Sequence, residues 1–212
     1  MAKKYQDLSD AQRAKFHAKL EALGIDPNTV PATVTTESGG LRCGHPAASA
    51  DFPPAQVHEI GSVADLCAMG GCPDEDYQAK RASDAFVDYP PPAPSLGMPS
   101  LASCGGDVCQ LKDRMTVQHH EAVGKALHAA VMGDSSKVRD YEEHINAIHF
   151  PMEIATHAAQ DLVITKDNPL IIDNPNGQPT NLVAATITIE EGGYIEMRTP
   201  LNIECQQFTV NS

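Results

Sequence analysis

Eleven of the sixteen prolines fall before residue 110, among them the run Pro90-Pro91-Pro92-Ala93-Pro94. Each proline fixes φ and removes a backbone donor, so residues 28–110 can form neither a long helix nor a central strand. The expected state is extended, turning chain with short helices at most near Ser62–Met69 and Asp74–Ala85. Unstructured stretches of this length are unusual inside compact domains and are normally functional, disordered or laid across a partner. Val30 to Met98 holds too few regularly spaced apolar residues to build its own core, and ordering it costs roughly 1–2 kcal/mol per residue. Burial elsewhere must offset that cost. The expected surface is a neighbouring copy of the chain, covered by Tyr89 to Met98 in particular; the alternative is the chain's own helices.

Hydrophobic spacing organises the rest. Ser9 and Gln12 form a capping-box pattern, Phe16, Leu20 and Leu23 follow at helical spacing, and Gly24 closes the helix. Its other face carries Arg13, Lys15, Lys19 and Glu21, so this one-sided helix must lie on something, the rest of the chain or a second copy. A helical hairpin follows, with Val123, Ala126, Leu127, Ala130 and Val131 on one arm and Val138, Tyr141, Ile145 and Ile148 on the other. Gly133 to Ser136 makes the turn, and Phe150-Pro151 ends the second arm. After His157 the period changes to short strands at Leu162, Leu170, Ala185, Tyr194, Leu201 and Phe208. Asn174-Pro-Asn-Gly177 and Glu190-Glu191-Gly192-Gly193 are the turn signals, the second of them between two alternating strands.

The fold class is therefore α+β in four parts: an N-terminal amphipathic helix (1–27), a Pro/Gly/Cys-rich arm (28–110), a helical hairpin (111–160) and a C-terminal all-β module (161–212). Six short strands suit a small sandwich, a jelly-roll half or a few coils of a solenoid. No exact internal repeat is visible.

A net charge of −13 with pI near 4.9 argues against a phosphate-gathering surface, so nucleic acid is not an expected partner. The N-terminus lacks the apolar core of a secretory signal, and no run approaches the roughly 20 apolar residues of a membrane span. The expectation is synthesis in the cytoplasm, with non-classical export leaving no mark to read.

Two groups of residues could carry chemistry. Cys67/Cys72 and Cys104/Cys109 share a four-residue spacing with two glycines inside each loop, and two such loops can hold tetrahedral zinc. Disulfides and unrelated buried thiols are the competing readings. Cys43 is a further ligand or reactive thiol, while Cys205 reads as a core residue of the β module. Six of the nine histidines lie between residues 119 and 157. If the hairpin turns near Asp134, His119 and His120 come level with His149, with His144 about a turn away and Glu121, Glu153 and His157 at the same end. Such a set would suit zinc, copper or non-haem iron. Neither the zincin nor the di-iron spacing is present, and surface or hydrogen-bonded histidine is the plainer account.

No nucleophile elbow, P-loop or dinucleotide-binding glycine pattern occurs. The expected function is a non-enzymatic structural or interaction protein whose partner is itself, as a homo-oligomer or polymer. The alternative is a metal-dependent enzyme or metal-binding protein using the hairpin histidines or the cysteine loops.

Overall fold

The structure is a computed structural model describing residues 3–45, 51–52, 54–174 and 177–211. It is mixed helix and strand with parallel sheets. Two compact units emerge: residues 1–58 with 153–212, and residues 59–152. The expected divisions at 110/111 and 160/161 fall inside these units.

The first unit is built on strands β1 (Thr33–Thr35), β2 (Leu41–Cys43), β3 (Gln56–Ile60), β4 (Met152–Ile164), β5 (Leu170–Ile172), β6 (Thr180–Ile189), β7 (Ile195–Met197) and β8 (Leu201–Val210). One sheet runs β1-β4-β6-β8, with β3 also on β4, and the other runs β2-β5-β7. The β1–β4, β4–β6, β6–β8, β2–β5 and β5–β7 pairs are parallel. The chain leaves the first sheet, crosses the second and returns to lie on its own previous strand. Asp161 pairs with Thr186 and Leu170 with Ile195, both 25 residues apart, so the module is a stack of coils. This register is shared without a shared sequence.

Each coil turns its corner through a left-handed residue: Gly39, Asp167 and Gly192 have φ of 99°, 59° and 79°, each six residues beyond the register mates Thr33, Asp161 and Thr186. Glu190–Gly193 is thus a turn, but not one between paired strands. β7 hydrogen-bonds to β5 in the second sheet, because the left-handed corner sends the chain away from β6. Gly177 N–H returns to Asn174 O at 2.8 Å, while Pro175 and Asn176 of that expected turn lie outside the described residues.

The coil interior is apolar. Ala159, Leu162 and Ile164 of β4 stack with Leu182, Ala184 and Ile187 of β6 and with Leu170 and Ile172 of β5. The in–out alternation changes phase between Ala159 and Leu162 and between Ala184 and Ile187, where the register skips Gln160, Ala185 and Gln206. Helix α1 (Asp10–Ala22), with the reciprocal Ser9–Gln12 cap, lies against β6 and β8 and buries Phe16 and Leu20. Lys19 meets Glu204 of β8 at 2.6 Å. The one-sided helix thus covers its own sheet.

The second unit holds α2 (Val63–Gly70), α3 (Asp74–Gln78), α4 (Val108–Arg114), α5 (Val117–Met132) and α6 (Glu142–His149), with a 3-10 segment at Ser135–Tyr141. Its core joins Ala122, Val123, Ala126, Ala129 and Ala130 of α5 to Val138, Tyr141 and Ile145. Leu127, Val131 and Ile148 are only half-buried. The segment before α6 is not one continuous helix, since Val138 leaves helical geometry at φ −124° and ψ 18°.

Candidate functional site

The expected arm 28–110 is divided: its first part supplies β1 and β2 to the coiled unit, and its part from residue 59 on finds partners inside the helical unit. Ala93 is buried in the helical core, and Val87, Tyr89, Leu96, Met98 and Leu101 pack against it. Ala93 N–H donates to the Asp140 carboxylate at 2.6 Å, and Tyr141 hydroxyl donates to Pro91 O. Tyr89 hydroxyl accepts Asp134 N–H at 2.9 Å and donates to Asp84 at 2.5 Å. Tyr89–Met98 therefore lies across the helices of the same chain. That is the second of the two surfaces expected for this stretch: prolines leave carbonyls without ladder partners, and helix side chains supply the donors.

The same need accounts for two of the predicted histidines. His119, 8% exposed, accepts Thr116 N–H through Nδ1 at 3.2 Å, which leaves Nε2–H to donate to Leu96 O at 3.1 Å. His144 Nε2 donates to Pro99 O at 2.8 Å. His120 is exposed at the same end of α5. His149 is held below the ordinary imidazole pKa first by burial and then by the nearby Lys112 and His120 charges. His120 and His149 are thus close enough to interact, as the hairpin arithmetic anticipates, but a lysine joins them and works against a metal cation. Glu153 and His157 belong to the other compact unit. There Glu153 pairs with His45 at 2.9 Å.

His157 is fully buried on β4, 5.0 Å from the Phe52 ring, with Nε2 at Gly44 N and O (3.1 and 3.2 Å). Burial pushes its pKa down to about 4, so near neutral pH it is a neutral packing residue.

The six cysteines are free thiols. Cys67 donates to Ala130 O at 3.1 Å, and burial, with Asp74 and Glu142 adding, pushes it up to about 11. Cys72 faces Asp76 at 3.7 Å, and burial and that carboxylate hold it protonated. Cys104 is buried beside the Arg114 guanidinium, at 3.5 Å, and Cys109 is exposed at the start of α4. Burial raises Cys43 to about 12 and also raises Cys205. Among the described residues no group of three or more His, Cys, Asp or Glu could hold a metal ion. A cavity of about 300 Å³ between α2, α5 and α6 is lined by Cys67, Val138, Arg139, Glu142 and Ile145 among others. Its only thiol is the inert Cys67.

One feature escaped the sequence reading of individual residues: the end of the coil stack. β8 pairs with β6 on one side and β7 with β5 on one side, and no other strand among the described residues pairs with either. Among the described residues, four of the seven exposed large apolar ones sit on this last coil: Tyr194, Met197, Phe208 and Val210. The interior column Val34, Leu162, Ile187 ends in Phe208, and the column Ile164, Ile189 ends in Val210. On the outer face a polar ladder climbs the same way. Asn181 Nδ2 donates to Thr156 Oγ1 at 3.4 Å, and Asn202 Nδ2 to Asn181 Oδ1 at 2.9 Å.

Comparison of the chain with family models, with curated proteins and with solved structures gives no match. Among the described residues no helix is long and apolar enough to cross a membrane.

Proposed function

We propose that the chain is a non-enzymatic structural or interaction protein that assembles with copies of itself. The observation that supports this reading is the ten-residue β8, an edge strand whose apolar columns end in the exposed Phe208 and Val210. Unpaired edges template pairing with another chain, and proteins that stay monomeric blunt them with lysine, proline or bulges. β8, Leu-Asn-Ile-Glu-Cys-Gln-Gln-Phe-Thr-Val, has neither lysine nor proline. Its one charge, Glu204, is neutralised by Lys19. In a chain of net charge −13, this strand presents no net charge of its own to repel a second copy.

Light scattering on the purified full chain at tens of micromolar tests the proposal. A mass of at least twice 22.6 kDa is expected, and a mass of 22.6 kDa overturns it.

A further inference from the structure

Resting on that self-assembly reading, we infer that the partner at the open edge is one second copy, joined by antiparallel β8–β8 pairing about a two-fold axis, with Leu201 opposite Val210, Asn202 opposite Thr209, Ile203 opposite Phe208 and Glu204 opposite Gln207.

The register follows from which way each side chain faces. Leu201, Ile203 and Cys205 pack with the coil interior. Beyond the skipped Gln206 the phase changes, and Phe208 and Val210 continue the interior columns of Ile187 and Ile189. Asn202, Glu204, Gln207 and Thr209 face outward, as the Asn181–Asn202 bond and the Lys19–Glu204 pair show for the first half. Directly opposed residues of an antiparallel pair lie on the same face. A two-fold axis beside Cys205 and Gln206 sets apolar residues against apolar ones at 201/210 and 203/208.

The outward pairs match in hydrogen bonding as well. Asn202 spends its amide N–H on Asn181. Its Oδ1 is then an acceptor for the Thr209 hydroxyl of the second copy. Glu204 is an acceptor opposite the Gln207 amide, which in the chain alone has only a 3.5 Å contact to Phe208 O. Sliding the pairing by one residue would put Asn202 opposite Phe208 or Val210 and break every match. A one-residue slip reverses faces in this way in any strand pair with one buried side.

The same edge argues for a closed dimer over a polymer. Head-to-tail stacking would lay β8 on the opposite end of the coil stack. There the edge of β4 is already shared by the three-residue β1 and the five-residue β3. Among the described residues no continuous ten-residue partner is on offer at that end, whereas a second β8 matches in length and closes the assembly on itself.

Two double variants of the full chain test the register, read by analytical ultracentrifugation with circular dichroism as the folding control. Asn202→Asp with Thr209→Asp sets like charges opposite each other twice per dimer and raises the dimer dissociation constant at least about tenfold. Asn202→Lys with Thr209→Asp sets opposite charges at the same positions and keeps the dimer. Equal dimerisation by both folded variants and the wild type overturns the β8 pairing while leaving self-assembly standing. A wild type that is monomeric at tens of micromolar overturns both.

Discussion

The coiled β unit and the helical unit solve one problem, the satisfaction of backbone polar groups, in opposite ways. In the coils each strand supplies ladder partners for the next, so side chains are released to build an apolar interior and a polar ladder. The helical unit contains a long proline-interrupted segment that can make no ladder. Its carbonyls and N–H groups are met by Tyr141, His119, His144 and Asp140 instead. A repeating backbone makes its own partners, and an irregular one borrows side chains. Two of the histidines that look like ligands in the sequence, His119 and His144, are among the lent groups.

The comparison breaks most directly at the two cores. Leu182→Ala in the coil interior and Ile145→Ala in the helical core, both essentially unexposed, should each cost about 2–5 kcal/mol. Phe208→Ala at the open end should cost a monomer far less. Native-state hydrogen exchange assigns each loss to its unit, and a large Phe208 effect in the monomer would show that column to be closed already.

The second difference is in pH response. His157 has a folded pKa of about 4 against 6.5. The unfolded chain therefore binds the extra proton first, and stability falls as pH drops from about 6.5 to about 4. At about 1.36 kcal/mol per pH unit the loss approaches roughly 3 kcal/mol. Denaturant unfolding of wild type and His157→Gln across that range should show a steeper slope in the wild type; parallel curves would contradict the assignment.

In the helical unit, His144→Ala removes the donor to Pro99 O and should cost about 1–3 kcal/mol. Limited proteolysis should then cut first within residues 90–104. Cleavage unchanged from wild type would mean that the segment holds without the histidine.

The smallest effects have opposite signs. Gly192→Ala forces an L-residue into the left-handed corner of a coil and should cost about 1–2 kcal/mol. Gly124→Ala on the exposed side of α5, where an added Cβ meets nothing within 4 Å, should stabilise by about 0.5–1 kcal/mol. Two melting curves check this, and equal signs would remove the contrast.

Local signals were legible in the sequence. The Ser9–Gln12 cap, the short helices near Ser62 and Asp74, the change to strand period and the corner at Glu190–Gly193 all depend on residues within a few positions of one another. The candidate metal residues were legible only as a list. Whether Cys67 meets Cys104 or the Ala130 carbonyl depends on which helix faces lie together, and spacing along the chain carries no information on that. The open edge was invisible for a related reason. Strand residues such as Ile203 and Phe208 look alike whether the next strand covers them or nothing does.

The sequence by itself determined the acidic surface, the one-sided first helix, the proline-bound segment and the existence of a β module, since these follow from charge, local spacing and φ restriction. Only the tertiary structure decided that the strands run parallel as stacked coils and that a 94-residue unit, 59–152, separates the two chain segments of the coiled unit. It alone decided too that the proline segment is held by histidines and tyrosines of its own chain. The physical reason is range. The first group of features is set by interactions within a turn or two of chain, while parallel pairing joins Thr33 to Asp161 across 128 residues and is chosen by which whole arrangement leaves fewest apolar and polar groups unmet.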